Sequence, residues 1–539
     1  MNTHLSPGMS ARAPLNGEPF DVLVIGGGIN GVAIARECAR AGRRTLLVEQ
    51  HDFAAGTTSR STRIIHGGLR YLEHGDIAQV RESLNERQRL LQGYPHLVRP
   101  LQFLLALDQN TPRSALAIRA GLWLYRQMGG RLQNNKNGHE RHKLEQLLDA
   151  GRHFSVFSYH DAQCEFPERM VAAWLVEAIE AGCVARNHMQ VLEVKRQEGR
   201  VRGAVLRDQL KGVETQIGAD VVINATGPWA DSICRSSGIQ TATPMVGGVR
   251  GSHLVMPKFA GAPQAAVYTE AIDGRPIFIV PWNEQILAGT TEVRDENDPG
   301  RVSPSTSEVD YLLDSLQRLF PRAHIARSDI RCTFAGVRPL PYSPPSEPCS
   351  ISRRHYFYDH APQGAAGMIS VIGGKLTTAG RLAKDCVEML GIASNREFAA
   401  AVVHETEVEI LLNRCATAVA EAGGIGQQTA RSIVEWFGKR SMSIARRASK
   451  SEEMRAPICS HSAHIVAEVV DAFENEYAVT LGDALLRRVP VALGACWSSQ
   501  CSREAARVVA TAMNWDERRA SAEAEALDVE REAFLQRLV

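Results

Sequence analysis

The stretch FDVLVIGGGINGVAIARECARAGRRTLLVEQ, Phe20 to Gln50, decides the fold of the N-terminal half. FDVLVI is continuously apolar and rich in β-branched residues, the composition of a strand covered on both faces of a parallel sheet. Three glycines follow, and NGVAIARECARA then alternates small apolar and charged residues at helical spacing until Gly42, a natural C-cap. TLLVEQ is a second strand, so a βαβ unit opens the fold. The run Gly26-Gly27-Gly28-Ile29-Asn30-Gly31, directly after a strand and opening a helix, with Glu49 ending the next strand, is a dinucleotide-binding fingerprint. Gly26 permits the tight turn, Gly28 lets backbone approach a pyrophosphate at the positive end of the helix dipole, and Gly31 lets helix pack closely on strand. Glu49 would accept hydrogen bonds from an adenosine ribose and repel a 2′-phosphate.

The fingerprint leaves open the choice between a flavin and a nicotinamide dinucleotide. The segment that follows, DFAAGTTSRSTRIIHGGLRYLEHGD, brings Arg60, Arg63, His66 and Arg70 together around Gly67-Gly68, which suits an anionic ligand close to backbone. The chain as a whole has no such field. Lys and Arg number 61 against 60 Asp and Glu in 539 residues, so global attraction to nucleic acid or an anionic membrane is excluded. With 44% hydrophobic and 22% charged residues the chain can bury a sizeable core. Eleven cysteines, scattered singly from Cys38 to Cys501 with no C-x-x-C pair, fit a reducing compartment, and no metal site is expected. Residues 1–19 read as a flexible polar leader and not as a signal peptide, and no apolar stretch reaches the ~18 residues of a bilayer span.

Between about 77 and 150, the helical patterns RESLNERQRLLQG and RSALAIRAGLWLYRQMGG flank an extended HLVRPLQFLLAL, and read as an insertion between strands of the nucleotide-binding sheet. NHMQVLEVKRQEGRVRGAVLRD is strand, turn, strand, and VVINATG is a buried strand ending at Gly227. From 243 to 345 the pattern changes to short alternating runs separated by Gly, Pro, Asn and Asp, an antiparallel sheet. MISVIGGKLTTAGRLAKDCVEML then repeats the strand, glycine turn and helix order of the N terminus. The antiparallel sheet is therefore inserted into a split nucleotide-binding domain covering 20–398, and the helical patterns of 399–539 form a separate domain. The expected fold combines α/β and α+β classes: a split Rossmann-like domain, an inserted antiparallel-sheet substrate domain and an all-helical C-terminal domain.

The set GGGINGVAIAREC, FAAGTTSRSTRIIHGGLRYLE, ATGPWAD (Ala225 to Asp231), RGSHLV (from Arg250), GTTE (from Gly289), AGVRPL (from Ala335) and GGKLTT (from Gly373), in that order, resembles the FAD-dependent glycerol-3-phosphate dehydrogenases, within the larger group of glycine/D-amino-acid-oxidase-like flavoproteins. The resemblance runs from Asp21 to about Met389, and TLGDALLRRV at Thr480 looks like that family's C-terminal domain. It implies FAD as cofactor, held through Gly26, Gly27, Gly28, Gly31 and Glu49 at the ADP half, with Thr57, Thr58 and Ser59 near the pyrophosphate and flavin and Gly227 beneath them. Gly374, Lys375, Leu376 and Thr377 would open a helix whose dipole stabilises the reduced flavin. For substrate it points to Arg70, Tyr71, His253, Arg338 and Lys375, with Arg70, Arg338 and Lys375 clamping a phosphomonoester. The base that takes the C2 hydroxyl proton should titrate near working pH, which favours His253 or His66, while Arg338 suits polarisation of the developing alkoxide. One departure stands out: GTTE followed by Arg294-Asp295 replaces the family's G-T-T-D with an aromatic shortly after.

The reaction that the resemblance implies is oxidation of sn-glycerol 3-phosphate to dihydroxyacetone phosphate by hydride transfer to FAD, with electrons passed to a membrane quinone. Two alternatives are an oxidase using oxygen on a related phosphorylated alcohol or an amine, and a non-catalytic flavin-binding regulator. A cytoplasmic homodimer, peripheral on the inner face of the cytoplasmic membrane and without nucleic acid, is expected. The segment from Arg113 to Arg131 mixes arginines with Leu116, Leu122, Trp123, Leu124 and Tyr125, as an interfacial helix or a core helix would.

Overall fold

The structure is a computed structural model and describes residues 15, 17–73, 75–109, 111, 114–129, 137–344, 351–392 and 405–537. Most of the leader and the 398/399 boundary lie outside the described residues. Phe20–Ile25, Ile29–Arg40 and Thr45–Val48 form the βαβ unit. The first of these lies inside a sheet whose order is Tyr356–Asp359, Met368–Ile372, Glu214–Asn224, Phe20–Ile25, Thr45–Val48, Val184–Arg186, parallel throughout except for the first pair. Its continuous apolar sequence follows from double coverage. Val22 and Val24 face a cluster with Ile29–Arg40, Pro167–Glu180 and Ala379–Met389, while Leu23 and Ile25 face the hairpin Met189–Gln197 and Arg200–Asp208.

The second sheet has nine strands, among them Val249–Pro257, Gln285–Gly289, Pro276–Trp282, Ala266–Glu270 and Cys332–Arg338. The segment 77–150, read as an insertion between strands of the nucleotide-binding sheet, contributes to it. The extended segment there, Val98–Asp108, pairs in parallel with Ala266–Glu270 and antiparallel with Phe154–Cys164, so it extends the 243–345 sheet across more than 150 residues of chain. The glycine-rich 51–76 segment reaches the same sheet through Ile64–Ile65. Period-two alternation sorts Val249–Pro257 into two faces. Leu254 and Met256 pack with the helix Thr306–Leu319, and Val255 packs with the helical domain.

The C-terminal helices include Glu405–Gly423, Gln427–Phe437, Val466–Asn475, Ser499–Met513 and Glu517–Phe534, and they share one apolar cluster with Trp282, Leu287 and Phe334 of the second sheet. TLGDALLRRV is not a regular helix. Thr480 caps a short turn by accepting from the Asp483 amide at 3.0 Å, and Ala484–Arg488 widens into a π-turn. That widening places Arg487 and Arg488 side by side on Asp52, which follows the first βαβ unit, with Arg488 bidentate at 2.6 and 2.7 Å. All three are buried, as is the pair of Arg169 with Glu476 at 2.6 Å. The helical domain is thus ion-paired to the nucleotide-binding domain through its interior.

Candidate functional site

A cavity of about 990 Å³ lies between the two sheets and is closed on one side by the helical domain. It can be followed contact by contact from the fingerprint. Gly26 adopts φ +105° and a Cβ there would come within 2.7 Å of the Ala225 carbonyl oxygen; a Cβ at Gly31 would overlap the Gly26 carbonyl itself. Gly27 is closed in by Phe53 and Glu49. Gly26 and Gly28 therefore line the cavity while Gly27 and Gly31 pack beneath it. Glu49 accepts from the amides of Gly27 at 2.7 Å and His51 at 2.9 Å and faces the cavity; burial holds its carboxyl above the usual range.

Thr58 accepts from the Ile29 amide at 3.1 Å, Thr57 donates to the Val337 carbonyl at 2.8 Å and Ser59 donates to the Ala54 carbonyl at 2.7 Å. All three reach the cavity wall, but these bonds make Thr58 a brace to the fingerprint and Thr57 a brace to the second sheet, while Ser59 ties its own turn together. Gly227 also lines the wall, yet the strand ends at Asn224, and Gly227 instead opens the 3-10 turn Gly227–Trp229. Gly374, Lys375, Leu376 and Thr377 line the cavity as a turn ahead of the helix, which begins only at Ala379. The Thr377 hydroxyl accepts from the His66 amide at 3.2 Å.

Alternation on two paired strands sets the polar end. Gly251 and His253 point to the cavity from one strand, Gly336 and Arg338 from its antiparallel neighbour, with Gly251 opposite Gly336 and His253 opposite Phe334. The two glycines make room: a Cβ on Gly251 would meet Arg338 Nη2 at 2.5 Å, and one on Gly336 would meet the Arg60 side chain at 2.6 Å. Arg338 donates to Thr290 Oγ1 at 3.0 Å and to the Thr291 carbonyl at 3.3 Å, so the divergent GTTE loop still reaches the cavity through Thr290. His253 is stacked on Phe334 at 4.8 Å, has Nε2 2.9 Å from the Thr62 hydroxyl, and keeps Nδ1 buried without a partner. Burial, with the charges of Arg338 and Arg63, pulls it down to about 3; burial with Lys375 and Arg353 does the same to His66. Lys375 lies 4.0 Å over the Tyr71 ring, and its amine is pulled down to about 7 by burial and by Arg353.

The cluster of cations around Gly67-Gly68 separates into different roles. Arg63 borders the cavity but is fully buried, bidentate to Glu168 at 2.9 Å and 4.5 Å over Trp282, so its guanidinium is committed to a structural ion pair. Arg60 lines the wall with its guanidinium 5.1 Å over Phe534, and burial lowers it to about 10. Arg70 is the second residue of the helix Leu69–Glu73, but its side chain lies outside the described residues. Two lining groups escaped the sequence reading. Arg353, paired with Glu292, reaches the cavity from a stretch without a motif. From the helical domain, Leu486, Arg487, Glu530 and Phe534 form part of the wall.

Residues 21–379 match the family described as FAD dependent oxidoreductase, and residues 385–520 match the C-terminal domain of alpha-glycerophosphate oxidase. The chain belongs to the FAD-dependent oxidoreductase family. Among its relatives, a glycerol-3-phosphate dehydrogenase of Synechocystis sp. is 36% identical over 88% of this chain and 89% of its own length. A D-erythritol 1-phosphate dehydrogenase of Brucella abortus is 34% identical over 68% of this chain and 72% of its own. The X-ray structure of a glycerol-3-phosphate dehydrogenase from Bacillus halodurans complexed with FAD superposes with TM-score 0.76, covering 98% of both chains at 23% identity, which shows the shared fold. FAD is the cofactor of this flavoprotein, and the cavity fits it. The wall has the glycine cradle, the Glu49 carboxylate, a buried Asn30 Oδ1 with no partner beside the Gly373–Gly374 turn, and volume at the upper end of the range for bound cofactors. Among the described residues no helix is long and apolar enough to cross a membrane.

Proposed function

We propose that this flavoprotein oxidises sn-glycerol 3-phosphate to dihydroxyacetone phosphate, with FAD as hydride acceptor and a membrane quinone as final electron acceptor. The observation that carries the reading is the juxtaposition, in one cavity, of the glycine cradle with Arg338, Lys375, Arg353 and two neutral histidines. Cations clustered where desolvation already weakens Lys375 need an anion of more than one charge, which a phosphomonoester supplies. The two relatives are named for phosphorylated polyols, which supports that class.

In this reading Lys375 and Arg353 grip the phosphate, and Tyr71 covers the Lys375 amine. Arg338 polarises the oxygen that becomes the carbonyl, because a guanidinium stays charged and can donate two hydrogen bonds to a developing alkoxide. His253, the histidine beside Arg338 with its ring fixed by Thr62, takes the hydroxyl proton; burial and the Arg338 and Arg63 charges hold it at about 3, below the near-neutral titration expected of the base, and a dianionic substrate would oppose those charges and raise it. His66 lies beside Lys375 and Arg353, nearer the phosphate grip.

Anaerobic addition of sn-glycerol 3-phosphate to the purified protein should bleach the flavin absorption, and a quinone analogue should restore it. No bleaching would overturn the reading in favour of a ligand-binding regulator. Restoration by oxygen alone with hydrogen peroxide release would make it an oxidase, the acceptor class named in the C-terminal family match.

Access to a quinone requires membrane contact, which the helix Ala115–Gly129 supports. Leu122 and Tyr125 pack inward, while Leu116 and Trp123 are 75% and 63% exposed beside Arg119 and Arg126. The two readings of this segment are thus two faces of one helix. Sedimentation with anionic vesicles should fall sharply for Leu116→Ser/Trp123→Ser; equal binding by wild type and variant would exclude this face.

A further inference from the structure

The helical domain brings together side chains that the flavin chemistry does not use. Cys459 and His461 lie on the loop that precedes Val466–Asn475, and Cys501 lies in the first turn of Ser499–Met513, forty residues further on. Their sulfur and ring-nitrogen atoms all fall within 4.8 Å of one another. Donors on a tetrahedral zinc ion sit roughly 3.5–4 Å apart, given bond lengths of ~2.3 Å to sulfur and ~2.0 Å to nitrogen, so side-chain rotation of under about 1 Å closes the set. Cys459 and Cys501 are buried, and His461 is exposed, held only by the neighbouring Ser460 hydroxyl at 3.2 Å among the described residues. The other histidine of this loop, His464, is committed to Glu468 at 2.8 Å and stacked on Trp436.

A fourth donor must come from outside that set: Cys496, also exposed, stands three residues ahead of Ser499–Met513 and its carbonyl accepts from Cys501 Sγ at 3.7 Å, so its own sulfur has to swing in to complete the tetrahedron. The positive end of the Ser499–Met513 dipole offsets part of the negative charge that thiolates would gather. None of these residues lines the flavin cavity.

We propose that Cys459, His461, Cys496 and Cys501 form a structural zinc site that staples the 459–461 loop to the start of the Ser499–Met513 helix. The expectation of no metal rested on the absence of C-x-x-C pairs; C-x-H and C-x-x-x-x-C, separated by 34 residues, are brought together only by the fold. Soft sulfur donors with one imidazole select zinc over magnesium or calcium, and four protein ligands leave no open position for catalysis.

The test is metal content and cobalt substitution of the full-length holoprotein. Protein grown with added zinc and dialysed should retain one zinc per chain, and cobalt-loaded protein should show a thiolate charge-transfer band and the intense visible bands of a tetrahedral ion. Cys459→Ser and Cys501→Ser should lose the metal. His461→Ala and Cys496→Ser, at exposed positions, should weaken zinc by at least about ten-fold while flavin content and flavin reduction stay unchanged, which separates metal loss from misfolding. Absence of both zinc and the cobalt bands in wild type, metal content indifferent to all four substitutions, or a Cys459–Cys501 disulfide in protein purified without reductant would each overturn the proposal.

Discussion

Lys375 gives the proposed phosphate grip a measurable pH dependence. Its amine is drawn from 10.5 down to about 7, first by burial and then by the Arg353 charge, with Asp76 and Glu82 opposing. Gln79, oriented to satisfy both neighbours, accepts from Lys375 Nζ at 2.9 Å and donates to Asp76 at 3.0 Å. The charged form is the one disfavoured in the free protein, so Lys375 is protonated below about 7 and neutral above. A phosphate dianion selects the protonated form, and binding above that pH must take up a proton. Linkage then makes kcat/KM fall by about ten-fold per pH unit, or about a hundred-fold from its plateau to about pH 9. Both histidines sit at about 3, so they do not bend the profile in this window. Steady-state kinetics with sn-glycerol 3-phosphate and an artificial electron acceptor reads it directly. Lys375→Met should lose ~2–5 kcal/mol of binding at neutral pH, lack the bend, and converge on wild type as pH rises. A flat wild-type profile, or the same bend in Lys375→Met, would refute the assignment of Lys375 to the phosphate.

Three further outcomes follow from the packing. Gly28→Val should fold and lose its yellow colour, because the nearest side-chain atom to a Cβ there is Thr58 Oγ1 at 3.4 Å and the added methyls would fill cofactor space; flavin absorbance per protein measures it. Arg63→Ala should lower stability by ~3–5 kcal/mol by leaving Glu168 buried and unpaired, seen as a lower urea midpoint, with KM for the folded fraction unchanged. His253→Asn should cut kcat by about 10²–10⁴ with flavin content intact; if His66→Asn does so instead, the proton acceptor is the other histidine.

The first βαβ unit was legible because its constraints are local. Strand, turn and helix lie within thirty-one residues, and Gly26 and Gly31 are dictated by backbone they nearly touch. RGSH and AGVR were recognisable as motifs, but that Gly251, His253, Gly336 and Arg338 share a face is fixed by the pairing of their strands. What escaped was long-range. Val98–Asp108 reads as extended, but its parallel partner begins at Ala266 and leaves no local signature. Arg63 is indistinguishable in sequence from a ligand-facing arginine until Glu168 arrives 105 residues later. Arg353 has no motif around it and is placed by its pairing with Glu292. The helical tail announced its helices through periodicity, but not that Phe534 would stand under Arg60 and beside the flavin cavity.

That last placement bears on biogenesis. Because Leu486, Arg487, Glu530 and Phe534 supply part of the cavity wall, a ribosome has made almost the entire chain before the chamber can be sealed. The nucleotide-binding half emerges first with its cradle exposed, so the flavin can enter from the side before the tail docks. Once Arg487 and Arg488 engage Asp52, opening the cavity on the side of the tail requires these interior ion pairs to part. The tail thus acts as a latch on that wall of the cavity.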